Sequence, residues 1–407
     1  MQCLLVIGYV WPEPNSSAAG SHMLSLLQVF LDRDWRVVFA SPAADSDFNL
    51  DLSQQGIERH NIQINDSNFD NWIKHLDPQM VLFDRFMMEE QFGWRVADTC
   101  PNALRILDTE DLQCLRQARQ QAHKEQRKFQ LTDLNSDLCK REIASIYRCD
   151  LSLIISSFEM QLLTEHFKLN ESILHHLPFM LGICQIKTSL PSFEQRQHFI
   201  SIGNFRHAPN WDSVLYLKQL WPQIRKQLPQ AELHIYGAYT PPKATALNDP
   251  KQGFIIKDRA KEVDPVMQNA RVCLAPLRFG AGIKGKLIDA MRCATPSVTT
   301  DIGAEGMSFA MPWPGIIATE ESDFIAAAVE LYQHPDRWQH ASQACLPLLK
   351  KHYDKEKLAP HFYQSIESLL GQLDSHRQGN FIGQMLSFHS LRSTKYMSKW
   401  IEAKNRS

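Results

Sequence analysis

Residues 278–306 read RFGAGIKGKLIDAMRCATPSVTTDIGAEG, and the fold turns on this stretch. It follows an apolar run ending at Pro276, passes Gly280, Gly282 and Gly285, and enters a helical pattern near Lys286. Glycines there let the backbone approach a ligand closely, and a helix start offers unpaired N–H groups to an anion. Lys284 and Lys286 add positive charge, so the whole reads as a diphosphate cradle between a strand and a helix. Two familiar nucleotide motifs fit the letters and fail in context. Gly280-x-Gly282-x-x-Gly285 lacks an acid closing the next strand about twenty residues on, since Asp301 falls in a loop. Gly280-x4-Gly285-Lys286 is followed by Leu287, where a P-loop needs a Ser or Thr hydroxyl for magnesium.

Working outward, strand-like and helix-like segments alternate along the chain. Apolar runs at 4–8, 37–40, 80–83, 104–107 and 151–155 precede the linker, with a helical pattern at 18–31 after the first. The pattern restarts at 198–203 and continues at 233–237, 254–256, 272–276, 297–300 and 315–317. Short strands apolar on both faces, separated by helices, predict parallel sheets covered by helices. The fold class is therefore α/β, with two tandem Rossmann-like doubly wound domains over 1–180 and 198–358. A proline-containing linker spans the gap, and a helix at about 360–374 is expected to return to the first domain. The charged, Gln-rich run from Glu110 to Arg148 reads as one or two solvated helices, or as a lid.

The 407 residues carry 43 Lys+Arg against 45 Asp+Glu, with 44% hydrophobic and 10% aromatic content. Such a chain packs a core, so wholesale disorder is excluded. Near-neutrality argues against an obligate nucleic-acid binder. No run approaches the ~18 apolar residues of a membrane span, and the start lacks the basic region of a signal peptide. Nine scattered cysteines without a Cys-x-x-Cys read as small buried hydrophobes in a reducing cytoplasm. The Asp-x-Asp pairs at 32–34 and 45–47 read as solvated carboxylates, so no metal is expected. The neutrality is an average. Residues 375–407 hold six Lys/Arg against Glu402, together with Phe381, Phe388, Tyr396 and Trp400. This basic amphipathic tail suits either an anionic membrane, on its inner face, or packing against the body.

The run GAGIKGKLIDAM, followed by TPSVTTDIGAEGM, resembles the donor-binding region of GT-B glycosyltransferases of family four. Those proteins show Gly-x-Gly-x-Lys-x-Lys-x-x-Glu-Ala-Met, then Gly-x-Pro-Val-Val-x-Thr-x-x-Gly-x-Glu-Gly. ISIGNFRHAPNWDSVLYLKQLWPQI, LHIYGA and ILHHLPF resemble further segments of the group, as do RILDTEDLQCLR and RCDLSLIISSFE, so the likeness covers most of 1–360. It implies transfer of a sugar, with retention and without metal or cofactor, from a nucleotide diphosphate sugar. The acceptor would be a glycan, a lipid-linked group or a protein, in polysaccharide biosynthesis. On this resemblance Asp289, one methylene shorter than the family's Glu, accepts from the ribose hydroxyls. Arg206 and Lys286, or Lys284, hold the diphosphate. Gly203, Gly237, Gly280 and Gly282 line the donor loops, and Glu305 lies near the ribose or base. Ser16, Ser17 and Gly20 belong to the acceptor-side loop. Asp108 and Glu110 stand where relatives place a catalytic His. That missing His, and Ala281 in place of a sugar-facing Glu, leave open an inactive binding subunit or a nucleotide-sugar epimerase.

Overall fold

The computed structural model describes residues 2–186 and 189–406. Lys187 and Thr188 of the expected linker, and Ser407 of the expected tail, lie outside the described residues, as does Met1. The first domain runs β1 (Cys3–Ile7), α1 (Ala18–Leu31), β2 (Arg36–Ser41), β3 (Glu58–Asn61), α2 (Asn68–Leu76), β4 (Met80–Asp84) and α3 (Phe86–Thr99). It continues with β5 (Leu104–Asp108), α4 (Gln113–Lys124), α5 (Asp137–Arg148), β6 (Leu151–Ile154), α6 (Ser157–Gln161) and β7 (Leu174–His176). Its seven strands pair in parallel in the order β3-β2-β1-β4-β5-β6-β7. Every residue of β1 and β4 is buried, as expected of central strands covered by helices on both faces. The edges β3 and β7 were not legible beforehand. Glu-Arg-His-Asn carries no apolar pattern, and Leu-His-His is only three residues long, just before the expected linker.

The second domain runs β8 (Gln197–Ile202), α7 (Ala208–Gln227), β9 (Leu233–Tyr236), α8 (Pro242–Thr245), β10 (Phe254–Ile256), α9 (Val263–Asn269) and β11 (Ala270–Ala275). Then come α10 (Gly285–Arg292), β12 (Ser297–Thr299), α11 (Asp301–Ala304), β13 (Gly315–Ile317), α12 (Glu321–Gln333) and α13 (Pro335–His352). Its six strands are again parallel, in the order β10-β9-β8-β11-β12-β13. The chain then crosses back as α14 (Lys355–Gly371), a few residues earlier than the pattern suggested. Ala359, Phe362, Ile366 and Leu369 of α14 share a core with Leu4, Val6 and Phe30. The Trp35 indole donates to the Tyr363 hydroxyl at 3.0 Å.

The tail is helical and packs on the first domain as α15 (Leu373–Gly379) and α16 (Phe381–Arg406). Arg377 grips the buried Asp150 carboxylate at 2.7 and 2.8 Å and donates to the Ala103 carbonyl. Farther along, Lys395 pairs with Asp98, and Arg95 donates to Ser398 at 3.2 Å. Asp150 is held below the usual carboxylate range, Arg377 and Arg105 outweighing the burial that would raise it. Among the described residues no helix is long and apolar enough to cross a membrane. Eight of the nine cysteines are buried and none is bonded to another; Cys184 is exposed.

In each sheet the strand order reverses once, between β1 and β4 and between β8 and β11. Ligands of open parallel sheets bind outside the carboxyl ends of the strands at that reversal. The two crevices face each other across the cleft between the domains.

Candidate active site

Four loops meet in the cleft, and the domains touch through them. The Tyr239 hydroxyl, after β9, donates to the Glu13 carboxylate, after β1, at 2.9 and 3.0 Å. Arg119 of α4 pairs with Glu305 and donates to the Gly280 carbonyl at 3.0 Å. Glu159 of α6 accepts from the Gly282 amide at 2.8 Å. One close approach is between helix starts. A Cβ on Gly285, first residue of α10, would stand 2.3 Å from the Cβ of Ala18, first residue of α1. Gly282, at φ +63°, likewise sits where a Cβ would meet Asp111 at 2.8 Å. These two glycines are required by contact with the opposite domain.

On the donor side the first turn of α10 has no side-chain cap, and neither has that of α7, whose N-cap is His207. Their leading N–H groups are therefore available to an anion. Lys286 is half-buried in the cleft and makes no ion pair with any described residue. Burial pushes its ammonium down to about 8. Lys284 faces inward instead, its Nζ donating to the Gly282 carbonyl at 2.8 Å. Of the two lysines, Lys284 is turned back onto its own loop and Lys286 makes no ion pair among the described residues. Arg206, after β8, is exposed, with its guanidinium 3.6 Å over the Tyr239 ring. Asp289 on α10 is pushed up to about 6 by burial, against the pull of Arg292, its neighbour at 3.3 Å. Glu305 was expected near the ribose; its carboxylate is taken by Arg119 across the interface. Gly203 and Gly237 pack tightly, since a Cβ on Gly237 would meet Phe205 at 2.4 Å.

On the acceptor side Ser17 caps α1 by accepting from the Gly20 amide at 3.1 Å, and Ser16 donates to Glu13. Gly20 serves packing, because a Cβ there would run into the Glu13 backbone at 2.6 Å. Asp108 ends β5 and caps no helix, since α4 begins only at Gln113. Its carboxyl is buried and raised, by burial first and then by the charge of Asp84. Glu110 is raised by enclosure in the cleft and by Asp108, with His22 and Arg85 opposing. Sequence reasoning missed Glu13, His22, Asp84, Arg85, Arg119, Glu159 and Tyr239. A signal existed for Asp84, which closes a strand just as Asp108 does. Arg119 and Glu159 reach across to the other domain, a contact that no local pattern records.

Residues 196–334 match the family model described as Glycosyl transferases group 1. No curated protein matches the chain by sequence. Solved structures share its fold over nearly the whole length. Sucrose-phosphate synthase from Thermosynechococcus elongatus has TM-score 0.69 at 13% identity, covering 91% of this chain and 100% of its own. TarM from S. aureus, in complex with UDP and alpha-GlcNAc-glycerol among its ligands, has TM-score 0.68 at 10% identity, covering 90% and 99%. HepE from Anabaena, in complex with UDP and glucose, has TM-score 0.68 at 13% identity, covering 91% and 100%. The architecture is GT-B, as the resemblance implied.

The contact between helix starts makes a direct prediction. Gly285→Ala keeps the fold but wedges the two domains apart, lowering kcat/KM about tenfold or more, as small misplacements of reacting groups do. Adding Ala18→Gly to the same chain restores most of it. Steady-state kinetics of the single and double variants, with melting temperatures as control, checks both parts.

Proposed function

We propose that this chain, a GT-B glycosyltransferase with a group 1 second domain, moves a sugar from a nucleotide diphosphate sugar to a glycan, lipid-linked or protein acceptor. The observation that carries the donor half is the uncapped start of α10 in the inter-domain crevice, with Lys286 beside it. A diphosphate there meets backbone N–H groups, the positive end of a helix and a fixed ammonium. Arg206 lies within a side chain's swing, and its planar fork suits a phosphate bidentately once it leaves Tyr239. Fixed positive charge of this kind stabilises the leaving diphosphate as the glycosidic bond breaks, so no metal is invoked. Asp289, on the same helix, suits the ribose hydroxyls. The acceptor enters over the first domain, on the side of the half-buried Glu110, with Asp108 covered beside it. Transfer with retention is the outcome this reading expects, as the family resemblance implies.

The peripheral partner is an anionic membrane surface, approached through α16. Its buried side lies against α3 and α5. Its outer side leaves Phe381, Tyr396 and Trp400 exposed at 73%, 67% and 60%, with Met385 and Phe388 between them. Arg392 and Lys399 lie on the same exposed side. Aromatic residues interleaved with cations suit the interface of a bilayer rich in acidic headgroups, each cation adding roughly 1 kcal/mol. A cytoplasmic enzyme held this way would meet lipid-linked acceptors directly.

Two measurements test these readings. By calorimetry with UDP- and GDP-sugars, Lys286→Ala and Arg206→Ala should each weaken binding roughly tenfold or more. Wild-type affinity should fall as pH rises through about 8, where Lys286 loses its proton, and Lys286→Ala should lose that dependence. Unchanged affinity in both variants refutes the donor site. In flotation assays the protein should bind vesicles containing about a quarter phosphatidylglycerol and not phosphatidylcholine alone. Replacing Phe388, Tyr396 and Trp400 with Ser should abolish that binding, and vesicle binding that survives the change removes α16 from the interface.

A further inference from the structure

The chain crosses between the domains twice, and the two crossings run side by side. The Leu181 amide donates to the Tyr353 carbonyl at 2.7 Å, and the Lys355 amide donates to the Leu181 carbonyl at 2.9 Å. A histidine stands just before each crossing. His176 ends β7 in the first domain, and His352 ends α13 in the second. Between them sits Phe309, from the loop joining α11 to β13. Its ring stacks on His352 at 4.2 Å, 12° from parallel, and meets His176 at 5.7 Å. Tyr353 anchors the same loop, being fully buried with its hydroxyl donating to the Met307 carbonyl at 2.9 Å. Phe309 and Ala310 adopt φ +50° and +63°, which residues other than glycine keep only where their surroundings impose it.

Both imidazoles keep Nε2 shut away from water and without a partner among the described residues. A neutral ring has one nitrogen that needs no acceptor. An imidazolium donates from both, so a proton added here leaves a buried N–H bare. The charged neighbours oppose that proton too. Around His176 they are His175, on its own strand, and His352. Around His352 they are Lys351 on α13 and Lys357 on α14, and His361 of α14 faces His175 in turn. The Asp354 carboxylate at the α14 start is engaged by the Glu356 amide at 3.2 Å. Burial first, then His175 and His352, push His176 down to about 4 against the pull of the Ile155 backbone. Burial, Lys351 and Lys357 lower His352 as well.

We propose that the His176–Phe309–His352 stack is a proton-gated hinge, closed while both imidazoles are neutral and opening the cleft in mild acid. The inference goes beyond the glycosyl-transfer reading and stands without it. Rotation of the domains about the paired crossings carries His176 away from Phe309 and His352, and water then reaches the rings. The open pose therefore takes up protons that the closed pose refuses. The closed pose is at full strength above about pH 6.5, the ordinary histidine value, and weakens as pH falls towards about 4. Within that window each ring lowers the closed-to-open ratio by up to about tenfold per pH unit, and the two together by up to about a hundredfold.

Small-angle X-ray scattering of the full chain without ligand reads the hinge, with far-UV circular dichroism as the check on folding. The wild-type radius of gyration should rise as pH falls below about 6.5, while the dichroism stays constant. His352→Phe keeps a ring stacked on Phe309 that takes no proton, so its rise should be shallower and begin at lower pH. The double variant His176→Asn, His352→Phe should hold its neutral-pH radius throughout. Acid opening through the cross-domain carboxylates Glu13 and Glu305 survives in that double variant, so a double variant that opens as wild type does overturns the proposal. So does a wild-type radius that is constant with pH. If the double variant loses its dichroism, His352→Phe decides alone, and an opening curve identical to wild type overturns the proposal. The Lys286 dependence lies near pH 8 and needs a ligand, so the two results are separate.

Discussion

Everything in the cleft depends on how closely two helix starts approach. Ala18 and Gly285 leave no room for an added Cβ between α1 and α10, and the missing methyls of Gly282 and Gly306 allow the same close approach beside them. At that separation the other cross-domain contacts become possible. Tyr239 reaches Glu13, Arg119 reaches Glu305 and Gly280, and Glu159 reaches the Gly282 amide. Each is polar and individually modest. Together they fix the glycine loop 280–285 against the first domain while leaving the α10 start uncapped and Lys286 without an ion pair. A loop held by the opposite domain, leading into a helix start with no side-chain cap, suits an anion.

The cleft is also divided electrically. Its second-domain wall presents Lys286, Arg206 and two uncapped helix starts. Its first-domain floor presents Asp84, Asp108 and Glu110 with one arginine among them. The two sheets place these opposite charges separately, each at its own strand-order reversal.

How much of this was legible depended on whether the cause was local. The central strands announced themselves because burial on both faces demands continuous apolar runs such as Leu4 to Ile7 and Met80 to Phe83. The edge strand Glu58–Asn61 is polar and owes its conformation to pairing with β2, so no pattern marked it. The glycines 280, 282 and 285 stood out from their spacing alone, and the structure sets Gly282 and Gly285 against the first domain. Lys284 was not separable from Lys286 until the structure turned its ammonium back onto Gly282. Glu305 was placed by likeness near a ligand, and a residue 186 positions away, Arg119, claims it instead. The tail's basic, aromatic composition was plain, but its docking rests on Asp150 and Asp98, which lie far off in sequence.

Amide hydrogen exchange with and without a nucleotide diphosphate sugar tests the central claim most directly. If the contact between the two helix starts positions the anion site of α10, the ligand should protect residues 282–289 and 16–20 together. Protection confined to a single domain, or none in the 282–289 segment despite binding, would contradict the account.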